Sequence, residues 1–359
     1  MTAANPSWQL AAPDGAADRP LLEISNLTTA FPRRDDVALA VRDVSLSLRA
    51  GEVLGLVGES GSGKSVTLRS ILGLVPSPGA IVAGSIRLDG RELVGARESE
   101  LRAVRGTVVS MISQDPASAL NPVFTIGEQI AETVRVHLGL GRAAARAEAL
   151  RLLERVGIPS PRERLGAYPH ELSGGMRQRA MIATAIACRP RLILADEPTT
   201  SLDVTIQDQI LKLLVSLRDE LGMSVILVTH DLGVVAQTCQ RVAVMYGGSI
   251  VEVGPVTTVF ADPAHPYTRG LLASLPRMGE GRRRLRVISG SPPDLRALPS
   301  GCAFRDRCPL AIVACAEIRP PLEVHGPDHL TACIRHRELG RGGPTAGARI
   351  EGPEGGAGG

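Results

Sequence analysis

Gly58-Glu59-Ser60-Gly61-Ser62-Gly63-Lys64-Ser65 fits the spacing G-x-x-x-x-G-K-[ST]. Each fixed position has a physical task. Glycines let backbone N–H groups converge on phosphate oxygens, and a helix N-terminus following them adds its positive dipole end. Lys64 can neutralise β/γ-phosphate charge, and the Ser65 hydroxyl can ligate Mg²⁺. The apolar Val53-Leu54-Gly55-Leu56-Val57 before the loop reads as a strand, and Val66-Thr67-Leu68-Arg69-Ser70-Ile71-Leu72 after it as a helix. That context is what a working phosphate loop requires. The chain has 40 basic residues, yet its lysines are Lys64 and Lys212 alone. A lysine kept where arginine is the default points to a need for a compact, flexible charge. Lys212 lies in an ordinary helical run. These residues predict a nucleoside triphosphate site, with Gly58, Ser60, Gly61, Ser62, Gly63, Lys64, Ser65 and Val66 around the phosphates.

Two further segments supply chemistry. Leu192-Ile193-Leu194-Ala195-Asp196-Glu197-Pro198 is a buried-strand run ending in two carboxylates. Asp196 is placed to help hold Mg²⁺ opposite Ser65. Glu197, one residue on, points elsewhere and can polarise an attacking water. Leu172-Ser173-Gly174-Gly175-Met176-Arg177-Gln178-Arg179 opens a helix through Ala187, with Ser173 as its N-cap. Physically that is a second anion site without a lysine of its own.

The elements around these residues read as α/β. Strand candidates are Leu22–Leu27, Val53–Val57, Ser85–Leu88, Thr107–Ile112, Leu192–Ala195, Ser224–Val228, Arg241–Tyr246 and Ser249–Val253, alternating with helix-period segments. Residues 127–165 read as helix and interrupt the sheet; Ala143–Arg155 is alanine-rich and charge-laced. At 359 residues, one large α/β domain plus a smaller annex is expected. Aromatics are 2% of the chain, which predicts an aliphatic core. A net charge of +3 with so few stacking aromatics argues against nucleic acid as a partner. No segment approaches a membrane span, and the first twenty residues lack the apolar run of a signal peptide, so a cytosolic chain is expected. Residues 1–20 and the glycine-rich 339–359 are expected to be disordered.

With these motifs in order, the chain resembles an ATP-binding subunit of an ABC transporter over about residues 21–338. Leu172–Gly175, with Met176, matches that family's signature motif. Gln114 matches the Q-loop glutamine, Ser201-Leu202-Asp203 the D-loop, and His230 the switch histidine near the γ-phosphate. Phe31 matches the aromatic that stacks on adenine, although the family more often carries Tyr there. The resemblance implies a catalytic set of Glu197, His230 and Gln114, and Mg²⁺ held through Ser65, Gln114 and Asp196. It implies an ABC-type mixed-sheet core over residues 21–275 with a helical subdomain at about 115–180. It also implies a head-to-tail pair in which the signature of one domain closes on ATP held by the other's phosphate loop.

Within the family, Ser113-Gln114-Asp115-Pro116 with Leu120-Asn121-Pro122, and Ala264-His265-Pro266-Tyr267-Thr268-Arg269-Gly270-Leu271-Leu272 followed by Gly290-Ser291-Pro292-Pro293, resemble the D-type ATPases of oligopeptide, dipeptide and related nickel importers. That resemblance implies two transmembrane permease subunits, an F-type ATPase partner, an extracytoplasmic binding protein and a station on the cytoplasmic face of the membrane. Peptides are the favoured cargo; nickel, another small solute, or a non-transport ABC ATPase are the alternatives. The extension, residues 276–338, holds Cys302, Cys308, Cys315 and Cys333, separated by five, six and seventeen residues. Four close thiols outside an oxidising compartment suggest a metal, but the spacing fits neither a zinc knuckle nor a ferredoxin run. The resemblance implies a [4Fe–4S] cluster, with zinc or free buried thiols as the other readings. His325, His329 and His336 could replace a ligand but read first as surface or capping residues, and Cys188 and Cys239 read as small core hydrophobes.

Overall fold

Val53–Val57, Leu192–Asp196 and Ser224–Thr229 are buried at every residue, as strands must be when both faces are covered. They form the centre of the main sheet. A computed structural model describes residues 19–33, 36–200, 202–274 and 288–339; the terminal segments expected to be disordered lie almost wholly outside the described residues, as does part of the expected extension.

In chain order the strands are β1 (Leu22–Pro32), β2 (Val37–Leu48), β3 (Val53–Val57), β4 (Ala80–Leu88), β5 (Arg91–Glu92), β6 (Val109–Ile112), β7 (Leu192–Asp196), β8 (Ser224–Thr229), β9 (Arg241–Tyr246), β10 (Ser249–Pro255), β11 (Glu323–Gly326) and β12 (His329–Thr331). One antiparallel sheet has the order β2-β1-β4-β5. The other runs β11-β12-β10-β9-β3-β8-β7-β6, with β9, β3, β8, β7 and β6 parallel. Antiparallel β10 and the β11/β12 hairpin extend its edge, through Glu252 opposite Thr331 and Val253 opposite Leu330.

The helices that position the site are α1 (Lys64–Ile71), α2 (Glu98–Val104), α3 (Pro116–Ala119), α4 (Ile126–Leu138), α5 (Arg142–Arg155), α6 (Pro161–Arg164), α7 (Gly174–Ile186), α8 (Val204–Leu221), α9 (Leu232–Thr238), α10 (Val256–Ala261), α11 (Pro266–Ala273) and α12 (Ala314–Glu317). The run α3 to α7 lies between β6 and β7. Thr125 caps α4 and Glu128 returns the bond to the Thr125 N–H, while Gly139 closes the helix in the left-handed conformation. α5 buries Ala145, Ala149, Leu152 and Leu153 along one stripe, at helical spacing.

Three cores result. One joins the helical segment to a face of the main sheet, through residues such as Ile130, Leu153, Ile182 and Val225. A second joins the antiparallel sheet to the opposite face, through Leu22, Val41, Leu56 and Ile226. Both are aliphatic. The third is not: of four phenylalanines and three tyrosines in the chain, Tyr246, Tyr267 and Phe304 meet with ring centroids 4.5–5.4 Å apart. Glu252, fully buried, pins the annex nearby by accepting from the Ala264 N–H at 2.6 Å and the His265 N–H at 3.0 Å. Its carboxylate also lies 2.7 Å from His329 Nε2. His329 and His336 are therefore buried residues, not the surface residues their polarity suggests. Among the described residues no helix is long and apolar enough to cross a membrane.

Candidate nucleotide site

β3, β8, β7 and β6 are parallel neighbours, so their C-terminal ends open on one edge of the sheet, where α/β folds place ligands. The loop after β3 carries Gly58 to Lys64, β8 is followed by His230, β7 ends in Asp196 before Glu197, and Gln114 follows β6. Gly58, Gly61 and Gly63 have φ of 154°, 78° and 106°. A Cβ on Gly58 would collide with the Met245 carbonyl oxygen, and one on Gly63 with that of Ala40. Gly63 caps α1 without a side-chain bond, so the first-turn N–H groups of Lys64, Ser65 and Val66 are left for an anion. Ser60 and Gly61 form the exposed tip of the loop, and Ser62 is buried.

Lys64 is 6% exposed. Its Nζ donates to the carbonyls of Gly58 and Glu59, each at 2.8 Å, and to Ser62 Oγ at 3.3 Å. Burial holds its pKa below the usual lysine range, opposed by the charges of Glu197, Asp196 and Glu59. Ser65 Oγ donates to Asp196 Oδ1 at 2.9 Å. Burial, and then the neighbouring Glu197 charge, raise the Asp196 pKa against that hydrogen bond. Two hard oxygen donors side by side, one a buried carboxylate destabilised in its charged form, suit Mg²⁺.

Glu197 adopts the left-handed region at φ 45°, uncommon for a residue with a side chain. The turn carries its carboxylate away from Asp196. Glu197 Oε2 accepts from Thr200 Oγ1 at 2.8 Å and Gln114 Nε2 at 3.1 Å, and lies 3.5 Å from His230 Nδ1. The structure thus brings together Lys64, Ser65, Asp196, Glu197, Gln114 and His230.

The other expected residues sit apart from that group. Leu172 is buried, and Ser173 Oγ caps α7 by accepting from the Met176 N–H at 3.3 Å. A Cβ on Gly174 would lie 3.6 Å from Leu202 Cδ2, and one on Gly175 2.9 Å from Ile206 Cγ2. Asp203 caps α8 through the Ile206 N–H at 2.9 Å. Among the described residues no hydrogen bond joins Leu172–Met176 to the phosphate loop; Ser201 lies outside them. Phe31 pairs with Ala38, two residues before the Ala40 carbonyl that abuts Gly63, and its ring packs against Gly79.

Three contacts escaped the sequence reading. Thr200 holds Glu197 from three residues away. Arg307 binds Glu59 through both of its terminal nitrogens, and Tyr267 Oη accepts the Glu59 N–H at 2.9 Å. Tyr267 stood in a segment singled out for its resemblance, but nothing local signals a partner 208 residues away.

The iron–sulfur expectation is corrected. Cys302, Cys308, Cys315 and Cys333 do line one cavity, but its volume is about 20 Å³, which is about the space one water needs. Among the described residues no group of three or more His, Cys, Asp or Glu side chains is arranged to hold a metal ion, zinc included. Burial pushes the Cys308 and Cys333 thiols up to about 11 and raises Cys302 as well. All four are free cysteines. Four nearby thiols in sequence became packed small side chains in space.

Fold and site together define a phosphate-loop ATPase cassette. Residues 41–200 match the ABC transporter family, and residues 251–315 match the oligopeptide/dipeptide transporter C-terminal region. The chain is 48% identical over 315 residues to the oligopeptide transport ATP-binding protein OppD of Salmonella typhimurium, covering 88% of this chain and 93% of that one. It is 48% identical over 314 residues to the dipeptide transport ATP-binding protein DppD of Bacillus subtilis, covering 87% and 94%. The dimeric post-hydrolysis ATP-binding cassette MJ0796, bound to ADP and Pi, superposes with a TM-score of 0.60 at 27% identity, over 66% of this chain and 98% of that one. The chain belongs to the ATP-binding subunits of ABC transporters, ATP-hydrolysing proteins that work with membrane permease subunits.

Proposed function

We propose that this chain hydrolyses ATP on the cytoplasmic face of a membrane to power import of dipeptides and oligopeptides through two permease subunits. The match of residues 251–315 to the oligopeptide/dipeptide transporter C-terminal region carries the peptide reading. The names of the relatives support it. The geometry supports a division of labour at the nucleotide. The loop N–H groups and Lys64 bind the phosphates, and Phe31 flanks the adenine. Ser65 and Asp196, with Gln114, would hold Mg²⁺, which supplies charge neutralisation at the β- and γ-phosphates. Glu197 takes the proton of the attacking water, oriented by Thr200 and Gln114, and His230 steadies the γ-phosphate end.

The Ser173 end of α7 packs on Leu202 and Ile206 rather than on its own phosphate loop. This supports a sandwich in which Ser173, Gly174 and Gly175 serve ATP on a second cassette, with Ser201, Leu202 and Asp203 at the seam. The second cassette is an F-type subunit, and an extracytoplasmic binding protein delivers the peptide.

The test is the ATPase rate of the chain reconstituted with its permease subunits and binding protein, across a panel from dipeptides to oligopeptides, with Glu197→Gln as blank. Stimulation by peptides is expected. Stimulation by nickel or another solute and not by peptides would replace the cargo, and an absence of coupling to any permease would overturn the transport reading.

A further inference from the structure

Glu59 is the second residue of the phosphate loop, and a carboxylate there opposes the anion the loop binds. The structure answers it from the far end of the chain. Arg307 Nη1 donates to Glu59 Oε2 at 2.6 Å and Nη2 to Oε1 at 2.9 Å, a two-pronged pair. The Arg307 side chain is 7% exposed. Its Nε donates to the Ser289 carbonyl at 2.9 Å, Nη1 also reaches Tyr246 Oη at 3.3 Å, and the guanidinium lies 5.8 Å from the Tyr246 ring centroid. The backbone of Glu59 is held as well. Its N–H donates to Tyr267 Oη at 2.9 Å, and its carbonyl accepts from Lys64 Nζ at 2.8 Å. Tyr246 meets Phe304 edge-on and Tyr267 packs tilted against both, with Phe304 three residues before Arg307. Glu59 therefore links Lys64, which meets the phosphates, to the aromatic core of the C-terminal extension.

We infer that Arg307 and Tyr267 are positioning residues for ATP: they clamp Glu59, cancel its charge and hold the phosphate loop, with Lys64, in its binding shape. The extension thereby sets the nucleotide affinity of the cassette. The inference rests on Gly58–Ser65 being the ATP phosphate loop, which Lys64→Ala tests separately by abolishing ATP binding.

The full chain is assayed for steady-state ATP hydrolysis and for equilibrium binding of a fluorescent ATP analogue. Tyr267→Phe removes one hydroxyl and keeps the ring, so KM for ATP rises about fivefold, the usual net worth of one hydrogen bond, while kcat at saturating ATP stays within about twofold. Arg307→Gln raises KM roughly 10- to 100-fold, the range of a charge-assisted bond. Arg307→Lys recovers only part, because an ammonium cannot make the fork. Adding Glu59→Gln to Arg307→Gln brings KM back toward wild type, since the unpaired carboxylate is gone. A purely structural contact would lower the melting temperature and the active fraction and leave KM unmoved. That result in Tyr267→Phe and Arg307→Gln, or failure of Glu59→Gln to rescue, would overturn the clamp. Loss of binding in Lys64→Ala alongside it would leave the ATP site standing; retention of binding in Lys64→Ala would remove the ATP site itself.

Discussion

Replacing Glu197 by glutamine separates binding from chemistry, and the structure sets the size of each effect. The side chain keeps its length and one oxygen, which can still accept from Thr200 Oγ1, now 2.8 Å from the carboxylate. The bond from Gln114 Nε2 at 3.1 Å ends on the same Oε2, so an amide that presents its oxygen there keeps both bonds, weakened by the loss of charge. The loss of stability is then about 1 kcal/mol, one ordinary hydrogen bond. Glu197 heads the charges that favour protonated Lys64, so neutralising it slightly weakens the ammonium. It also removes an anion from beside the triphosphate. These oppose each other, and ATP affinity is expected to stay within about threefold of wild type. Turnover is different. An amide takes no proton, so the general-base contribution of about 10²- to 10⁴-fold is lost, or about 3–5 kcal/mol of barrier. Phosphate release at saturating ATP gives the rate, and equilibrium titration with a fluorescent analogue gives the affinity. A kcat within tenfold of wild type would remove Glu197 from the role of base, and a matching loss of affinity would make it a binding residue instead.

Gly63→Ala is expected to abolish ATP binding: at φ 106° its methyl would strike the Ala40 carbonyl, so the loop has to open. Calorimetric titration that finds wild-type affinity would refute that geometry. Ser173→Arg should leave monomer ATP binding intact and block the ATP-dependent dimer, followed by size-exclusion chromatography in a Glu197→Gln background; equal loss of both would count against the sandwich. Burial lowers the His265 imidazole from 6.5 to about 4, against the pull of the Glu252 charge, so the unfolded chain binds its proton first as pH falls. His265 stabilisation is therefore full above about pH 6.5 and is lost as pH drops through about 4, about 3 kcal/mol in all. His265→Asn keeps an acceptor for the Tyr267 N–H and cannot titrate; urea denaturation at pH 7 and 4.5 should show a shallower fall than wild type, and parallel falls would refute the assignment.

What was legible in the sequence is what short segments encode by themselves. The phosphate loop, the carboxylate pair and the Ser173 cap each write their geometry into consecutive residues, through glycines, a lone lysine and a capping hydroxyl. β2 was missed although Val37–Leu48 is twelve residues long. Asp43 sits at φ 56° within it, and the pairing with β1 shifts register between Leu27 and Thr29, so no clean alternation survives. The β11/β12 hairpin was missed because two short strands acquire their identity only by joining β10. Arg307 is 248 positions from Glu59, and no periodicity reaches that far. The cysteines misled for the same reason in reverse: their closeness in sequence was visible, but the small cavity between them is a property of packing.

The two adjacent carboxylates are divided between two neighbourhoods by one backbone angle. Asp196 remains in β7 and turns inward to Ser65, on the helix that the phosphate loop starts. Glu197, at φ 45°, leaves the strand direction and meets Gln114, Thr200 and His230. Those partners come from the loops after β6, β7 and β8, three neighbouring strands. A left-handed glutamate persists only where its surroundings hold it, and these contacts are what hold it here. Moving any of the three loops therefore re-aims Glu197, the proposed base, while the Ser65–Asp196 pair, anchored by α1 and β7, stays in place. The Gln114 loop leads into the helical segment, and the Thr200 loop leads through Leu202 to the α7 N-terminus. The geometry thus allows ATP to be held while hydrolysis waits on the position of those two elements, which is the order of events a transport ATPase needs.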